Sequence, residues 1–358
     1  MTLANSIRID VHRRTGAPHD VRIHSSRPVH AARALRQRTP AEARALVQQL
    51  FTICGTAQGI ACRQALRQAS GAPVQADDVS DRRALILETV REHLWRILVD
   101  WAEHTGSVVD ADSLRRCRTL ADEAGPDELA RQLRSSVFGI PLQRWLDIEH
   151  SDDLLRWAKE TDTVAARMIH SLNRRGWCPD GRSSLPFLPD TPSEDLHKTL
   201  VSDAADQFIE QPVWASSPHE TSPLARTQHS VLVRSVQAQF GRGLLARHVA
   251  LLVELAESPA RLNRPAPLRS DQVTLPPSTG VAQVDAARGR LVHRVVVNDG
   301  RIETYQIVAP TEWNFHPQGP LAQGLSAIGD GNREQLKEKA TLLVKAVDPC
   351  VGFQLEVR

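Results

Sequence analysis

Apolar residues alternate with polar ones at the start of the chain. Ile7-Arg8-Ile9-Asp10-Val11 and Val21-Arg22-Ile23 flank the turn-prone Thr15-Gly16-Ala17-Pro18-His19-Asp20, which predicts a short β-hairpin. The period then changes to that of a helix. Thr39-Pro40-Ala41-Glu42 has capping-box spacing with proline at the first helical position, and Leu46, Leu50 and Ile53 carry one face of that helix up to Cys54. The clearest helix covers 82–104, where Leu87, Val90, Leu94, Ile97, Leu98 and Trp101 recur every three to four residues. Shorter amphipathic stretches follow near 111–122 and 126–135. Asp77-Asp78 and Asp152-Asp153 are placed as helix-start charges. From Ser151 one helix is expected to run to about Arg175, with Gly176 to end it.

Residues 177–192 hold enough Pro, Gly and Ser to read as a loop. Helical signal returns at 193–209 and at 224–257, broken around Gly241 and Gly243. Pro259, Pro265, Pro267, Pro276 and Pro277 make 258–280 a Pro-rich loop. The strongest β signal comes next: Leu291–Val297 and Ile302–Val308 flank Asn298-Asp299-Gly300, a hairpin connection. A last helix, about 332–346, stops at Asp348-Pro349-Cys350. The pattern is mainly α (α+β), a helical core with small antiparallel hairpins near both ends. Residues 1–358 are expected to form a single domain, because neither end of the chain could close a core alone.

Composition narrows the function classes. No apolar run approaches the roughly 18 residues of a membrane-spanning helix, and Met1–Arg14 lacks the apolar centre of a secretory signal. The 5 cysteines are an odd, scattered set, not a disulfide framework, so a cytoplasmic protein is expected. Arg22, Arg27, Arg33, Arg36, Arg38 and Arg44 make 22–44 locally basic, either a patch for an acidic partner or an ordinary solvated face. A net charge of +2 with 4% aromatic residues argues against nucleic acid.

Candidate chemistry is sparse. Cys54, Cys62, Cys117, Cys178 and Cys350 form no Cys-x-x-Cys pair, so a structural zinc site has no support. There is no glycine-rich phosphate cradle, Gly-x-Ser-x-Gly elbow or His-Glu-x-x-His helix. His293 in its strand and His316 near a turn read, unaided, as hydrogen-bonded structural imidazoles.

Three segments taken together resemble the large subunit of nickel–iron hydrogenases. Phe51-Thr52-Ile53-Cys54-Gly55-Thr56-Ala57 is similar to that family's R-I-C-G-V-C motif. Ala287-Arg288-Gly289-Arg290-Leu291-Val292-His293 and Pro310-Thr311-Glu312-Trp313-Asn314 resemble its A-R-G-x-L-x-H and P-T-x-W-N segments. Asp348-Pro349-Cys350 resembles the start of its D-P-C-x-x-C-x-x-H ending. By this resemblance, each cysteine motif should supply a second, bridging thiolate. Those positions are Ala57 and Phe353, the histidines expected further on are Ala61 and Glu356, and the family's active-site arginine is missing from Pro317-Gln318-Gly319. The proton-relay glutamate near the N-terminus has only a faint counterpart in Ile9-Asp10. Arg358 follows Cys350 closely, implying no extension for a maturation protease. A nickel–iron centre needs four thiolates, so the resemblance implies no nickel and no hydrogenase activity.

This set of losses is similar to the HupK/HoxV family of hydrogenase accessory proteins. That likeness implies a non-catalytic scaffold or chaperone. It would hold an iron fragment with cyanide and carbonyl ligands transiently, before transfer to the hydrogenase large-subunit precursor. It assigns the metal to Cys54 and Cys350, and contact with the fragment to Arg288, His293, Trp313 and Asn314. Arg288 would be a donor to cyanide, Trp313 and Asn314 would lock the chain beside the cavity, and His293 would pack behind it. Hydrogenase maturation proteins and the large-subunit precursor are the implied partners, with neither nucleic acid nor membrane insertion. The alternative is a metal-free docking protein for maturation factors, working through 22–44. An enzyme of altered chemistry is disfavoured because no replacement acid–base constellation stands out. Whether Glu356 replaces a missing ligand is left open.

Overall fold

The computed structural model describes residues 6–51, 53–71, 79–108, 111–118, 125–266 and 275–358. Asp77-Asp78 and the end of the 111–122 stretch lie outside them. The opening alternation forms its hairpin. β1 (Ser6–His12) and β2 (Asp20–Ser25) pair antiparallel, with Ile7, Ile9, Val11 and Ile23 buried.

Helix α1 (Pro40–Leu50) begins at the expected capping box. The Thr39 hydroxyl accepts from Glu42 N–H, and the Glu42 carboxylate accepts from Thr39 N–H at 2.7 Å. It stops earlier than its apolar spacing predicts. Its buried face is Ala43 and Val47, while Leu50 and Ile53 stay 46% exposed, and Cys54 instead precedes a new helix, α2 (Gly55–Ala69). Helix α3 (Val79–Trp95) covers the first part of the 82–104 prediction. It continues through a wider π turn at Arg96–Trp101, which keeps Ile97, Leu98 and Trp101 buried.

The single helix expected over 151–175 is two, α4 (Ser151–Glu160) and α5 (Val164–Arg174). Thr161 and Thr163 adopt extended backbone between them, and the Thr163 hydroxyl accepts from Ala166 N–H to start the second. β-branched threonine with a short hydroxyl favours such a cap over a helix interior. Gly176 takes a left-handed φ of +68° after α5, as expected. Helix α6 (Leu244–Asn263) overturns the start of the Pro-rich loop, because it runs through Pro259. Proline leaves the carbonyl four residues back without a donor. Here that carbonyl, Leu255 O, accepts from the Ser258 hydroxyl at 2.7 Å.

A strand absent from the sequence reading, β3 (Thr279–Ala286), pairs with β4 (Gly289–Asn298), which pairs with β5 (Arg301–Val308), all antiparallel. The β4–β5 turn places Asp299 and Gly300 at φ +48° and +73°, the mirror-image geometry that a tight hairpin favours. Helix α2 lies on this sheet. Its Ala57, Ile60, Ala61 and Ala65 pack with Val284, Leu291 and Val295, and Gly280 allows the closest approach, since a Cβ there would sit 1.9 Å from Ala65 O. Short helix α7 (Pro310–Asn314) follows β5, and α8 (Arg333–Val347) precedes β6 (Gly352–Val357). β6 lies parallel to β1, so the first sheet has the order β2-β1-β6. The two ends of the chain are thereby stitched together. No helix among the described residues is long and apolar enough to cross a membrane.

Candidate functional site

Cys54 is delivered by the break between α1 and α2. The first turn of any helix leaves N–H groups without partners, and here Glu88 of α3 accepts from Thr56 and Ala57 at 2.7 and 3.0 Å. That carboxylate ties the Cys54 end of α2 to α3. Cys350 comes from the other end of the chain. Asp348 leaves α8 in the left-handed region at φ +62°, Pro349 bars continuation, and Cys350 Sγ comes to rest 3.1 Å from the Thr311 hydroxyl at the start of α7.

Both cysteines line one cavity of about 210 Å³. A buried water needs only about 10–15 Å³ of such space, so the cavity has room for a polyatomic guest. Arg288, Arg27, Gln58 and Thr311 supply its polar wall. Phe51, Ile53, Leu291 and Val351 are among the apolar remainder.

Arg288 is buried and joins three elements. It donates from Nη1 to Cys54 Sγ at 3.3 Å and from Nη2 to Glu92 of α3 at 2.7 Å, and its Nε lies 3.1 Å from Asp348 Oδ2. Burial alone would lower its pKa, but Asp348, Cys54 and Glu92 hold it well above the ordinary arginine value. Its backbone is held just as firmly. Asn314 accepts from Thr221 N–H at 3.0 Å and donates to Arg288 O at 3.1 Å. Arg27 stands elsewhere on the wall, ion-paired with Glu312. Burial pushes the Cys54 thiol up to about 12, with Arg288 pulling the other way, so at neutral pH and without metal it carries its proton.

The structure brings Cys54, Cys350 and Arg288 together, and leaves the other three expected residues off the cavity wall. His293 is buried one layer back, with its ring nitrogens 2.8 Å from Gln58 Oε1 and Tyr305 Oη. Trp313 packs edge-on against Phe208 at 5.8 Å. Asn314 acts through the Arg288 backbone. These three stand behind the residues that line the cavity. His316 accepts from Gln318 N–H as a structural imidazole. Glu356 is exposed on β6, paired with Arg358 and Arg8, and does not reach the site.

Sequence reasoning gave Arg27, Gln58, Glu92 and Asp348 no part in the cavity. Arg27 was hidden in the basic run, and that run is largely neutralised within the fold. Arg33 pairs with Asp206, Arg22 with Asp20 and Arg38 with Glu42, and Arg36 donates to Glu303 O. The free cationic patch expected over 22–44 is reduced accordingly. Asp348 was legible as a helix end and as the start of the Asp348-Pro349-Cys350 motif, not as a partner of Arg288.

The nickel-dependent hydrogenase family model matches residues 195–351. The hydrogenase expression/formation protein HoxV of Cupriavidus necator is 29% identical, over 93% of this chain and 92% of its own. HupK of Rhizobium leguminosarum, of the same description, is 28% identical over 99% and 97%. The chain is thus similar, over nearly its whole length, to HupK/HoxV-type hydrogenase expression/formation proteins. Its fold agrees. The crystal structure of the reduced Ni-Fe-Se hydrogenase from Desulfomicrobium baculatum superimposes with a TM-score of 0.60 and 16% identity, over 95% of each chain. This chain thus has a hydrogenase-like fold, and that fold encloses a two-cysteine cavity.

Proposed function

We propose that this chain is a non-catalytic scaffold in the maturation of a nickel–iron hydrogenase. It holds an iron fragment bearing cyanide and carbonyl ligands between Cys54 and Cys350 and passes it to the large-subunit precursor. The observation that carries this reading is the convergence of two thiols from opposite ends of the chain on one cavity with Arg288. The names of the HoxV and HupK relatives, hydrogenase expression/formation proteins, support the maturation role.

The chemistry suits a cargo better than a resident catalyst. Iron already carrying three diatomic ligands needs few protein donors, and two thiolates suffice. Each thiol releases its proton as its Fe–S bond forms, and Arg288 offsets the charge left on Cys54. In the low dielectric of the site, guanidinium groups favour an anionic fragment. Attachment at two points lets go more readily than attachment at four. Ala57 is buried with its N–H on Glu88, and Phe353 lies in β6, so neither bridging position of the enzyme offers a sulfur for nickel.

The test is the infrared spectrum of the chain purified anaerobically from a host that makes the maturation machinery. Cyanide and carbonyl stretches are expected in the unmutated chain and should vanish in Cys54→Ala and in Cys350→Ala. A folded unmutated chain without those bands would leave the metal-free docking protein instead.

A further inference from the structure

The cavity wall contains a residue that neither cysteine motif nor the arginines account for. Gln58 sits one turn into α2, buried, with its side chain on the cavity. Its carbonyl oxygen Oε1 is 2.8 Å from His293 Nε2, and His293 Nδ1 is 2.8 Å from the Tyr305 hydroxyl. Gln58, His293 and Tyr305 form a buried chain leading away from the cavity.

A neutral imidazole has one N–H donor and one acceptor nitrogen, and burial pushes the pKa of His293 down to about 3, so its ring is neutral. With Oε1 as acceptor, His293 Nε2 carries the proton, and Nδ1 accepts from the Tyr305 hydroxyl. Both bond directions follow from this, and the Gln58 amide nitrogen is the end left for the cavity. Among the described residues no hydrogen bond from that NH₂ group is found.

We propose that Gln58 is a ligand-binding residue of this site, whose side-chain NH₂, aimed by His293 and Tyr305, donates to the nitrogen of a metal-bound cyanide. The inference rests on the reading above that the cargo carries cyanide. It adds a donor that distinguishes the diatomics: cyanide keeps a basic lone pair on nitrogen when bound through carbon, whereas the oxygen of a metal carbonyl is a poor acceptor. A fixed amide therefore selects cyanide for its side of the cavity. His293 and Tyr305 are positioning residues, because they reach the guest only through Gln58.

The experiment compares infrared spectra of the full chain, purified anaerobically with its cargo, for the unmutated protein, Gln58→Leu and Tyr305→Phe. Gln58→Leu removes the donor. It should retain cargo yet move one cyanide stretch, with a smaller change in the carbonyl stretch. Tyr305→Phe deletes a single oxygen and leaves Gln58 in place. It should move the same band in the same direction by less, and it decides the question alone should Gln58→Leu not fold. Cyanide bands unmoved in these variants would overturn this assignment while leaving the scaffold intact. Absence of diatomic bands from the unmutated chain would remove the scaffold and this assignment with it.

Discussion

Arg288 does more structural work than its place in a surface-like turn would suggest. One guanidinium meets a sulfur and the carboxylates of Glu92 and Asp348, and breaking such a buried cluster leaves charges without partners. Arg288→Ala should therefore cost about 3 kcal/mol in unfolding free energy by denaturant titration. Arg288→Lys should recover only part of that, because an ammonium cannot reproduce the fork. The same residue governs Cys54. With its pKa pushed up to about 12 by burial, Cys54 in the metal-free chain should react with iodoacetamide at pH 8 far more slowly than a free cysteine. Arg288→Ala should slow it further, since the guanidinium favours the thiolate; faster alkylation in that variant would contradict the arrangement. At this scale the sequence was legible where a motif marked a residue, as for Cys54, Cys350 and Arg288. It gave Gln58 and Arg27 no place at the site, because that place depends on what folds against them.

Among the elements, the start of β4 does most to build the site, because it directly follows Arg288. β4 begins at Gly289 with φ +137°, and a Cβ there would lie 1.9 Å from Thr221 O. The glycine is thus required both by its own backbone and by the Thr221 backbone packed against it. Gly289→Ala is expected to cost about 3 kcal/mol or more and to displace the adjoining Arg288, read as loss of cargo bands along with a lowered melting temperature. A variant as stable as the parent would contradict that close packing. Elements with strong local signals, such as the Thr39 cap and the Asp299-Gly300 turn, could be read from the chain directly. β3 could not. It is buried along nearly its whole length and lacks alternation, as a strand covered on both faces does. The α6 continuation through Pro259 was equally hidden, because it depends on Ser258 serving the orphaned carbonyl.

The whole molecule should respond to acid through histidines buried neutral. Burial lowers His248 to about 4 and His293 to about 3, against about 6.5 in the unfolded chain. A depressed folded-state pKa gives stability that is present above pH 6.5 and is lost as the pH falls toward those values, since the unfolded chain takes up the protons first. At pH 5 each should have cost roughly 2 kcal/mol. His248→Gln should flatten the dependence of unfolding free energy on pH between 7 and 5 by about that amount; an unchanged slope would count against a neutral buried ring. The mainly helical, hydrogenase-like class was readable from motif order and helical periodicity. The closing of the chain by β6 on β1 was not, because a parallel pairing between the two ends leaves no local trace.

Iron K-edge X-ray absorption of the anaerobically purified chain tests the central claim most directly. Two sulfur neighbours at about 2.3 Å, the distance of comparable metal–thiolate bonds, should accompany a shell of short metal–carbon contacts, and Cys350→Ala should retain at most one. Iron without sulfur neighbours, or with a sulfur shell unchanged in Cys350→Ala, would contradict the account.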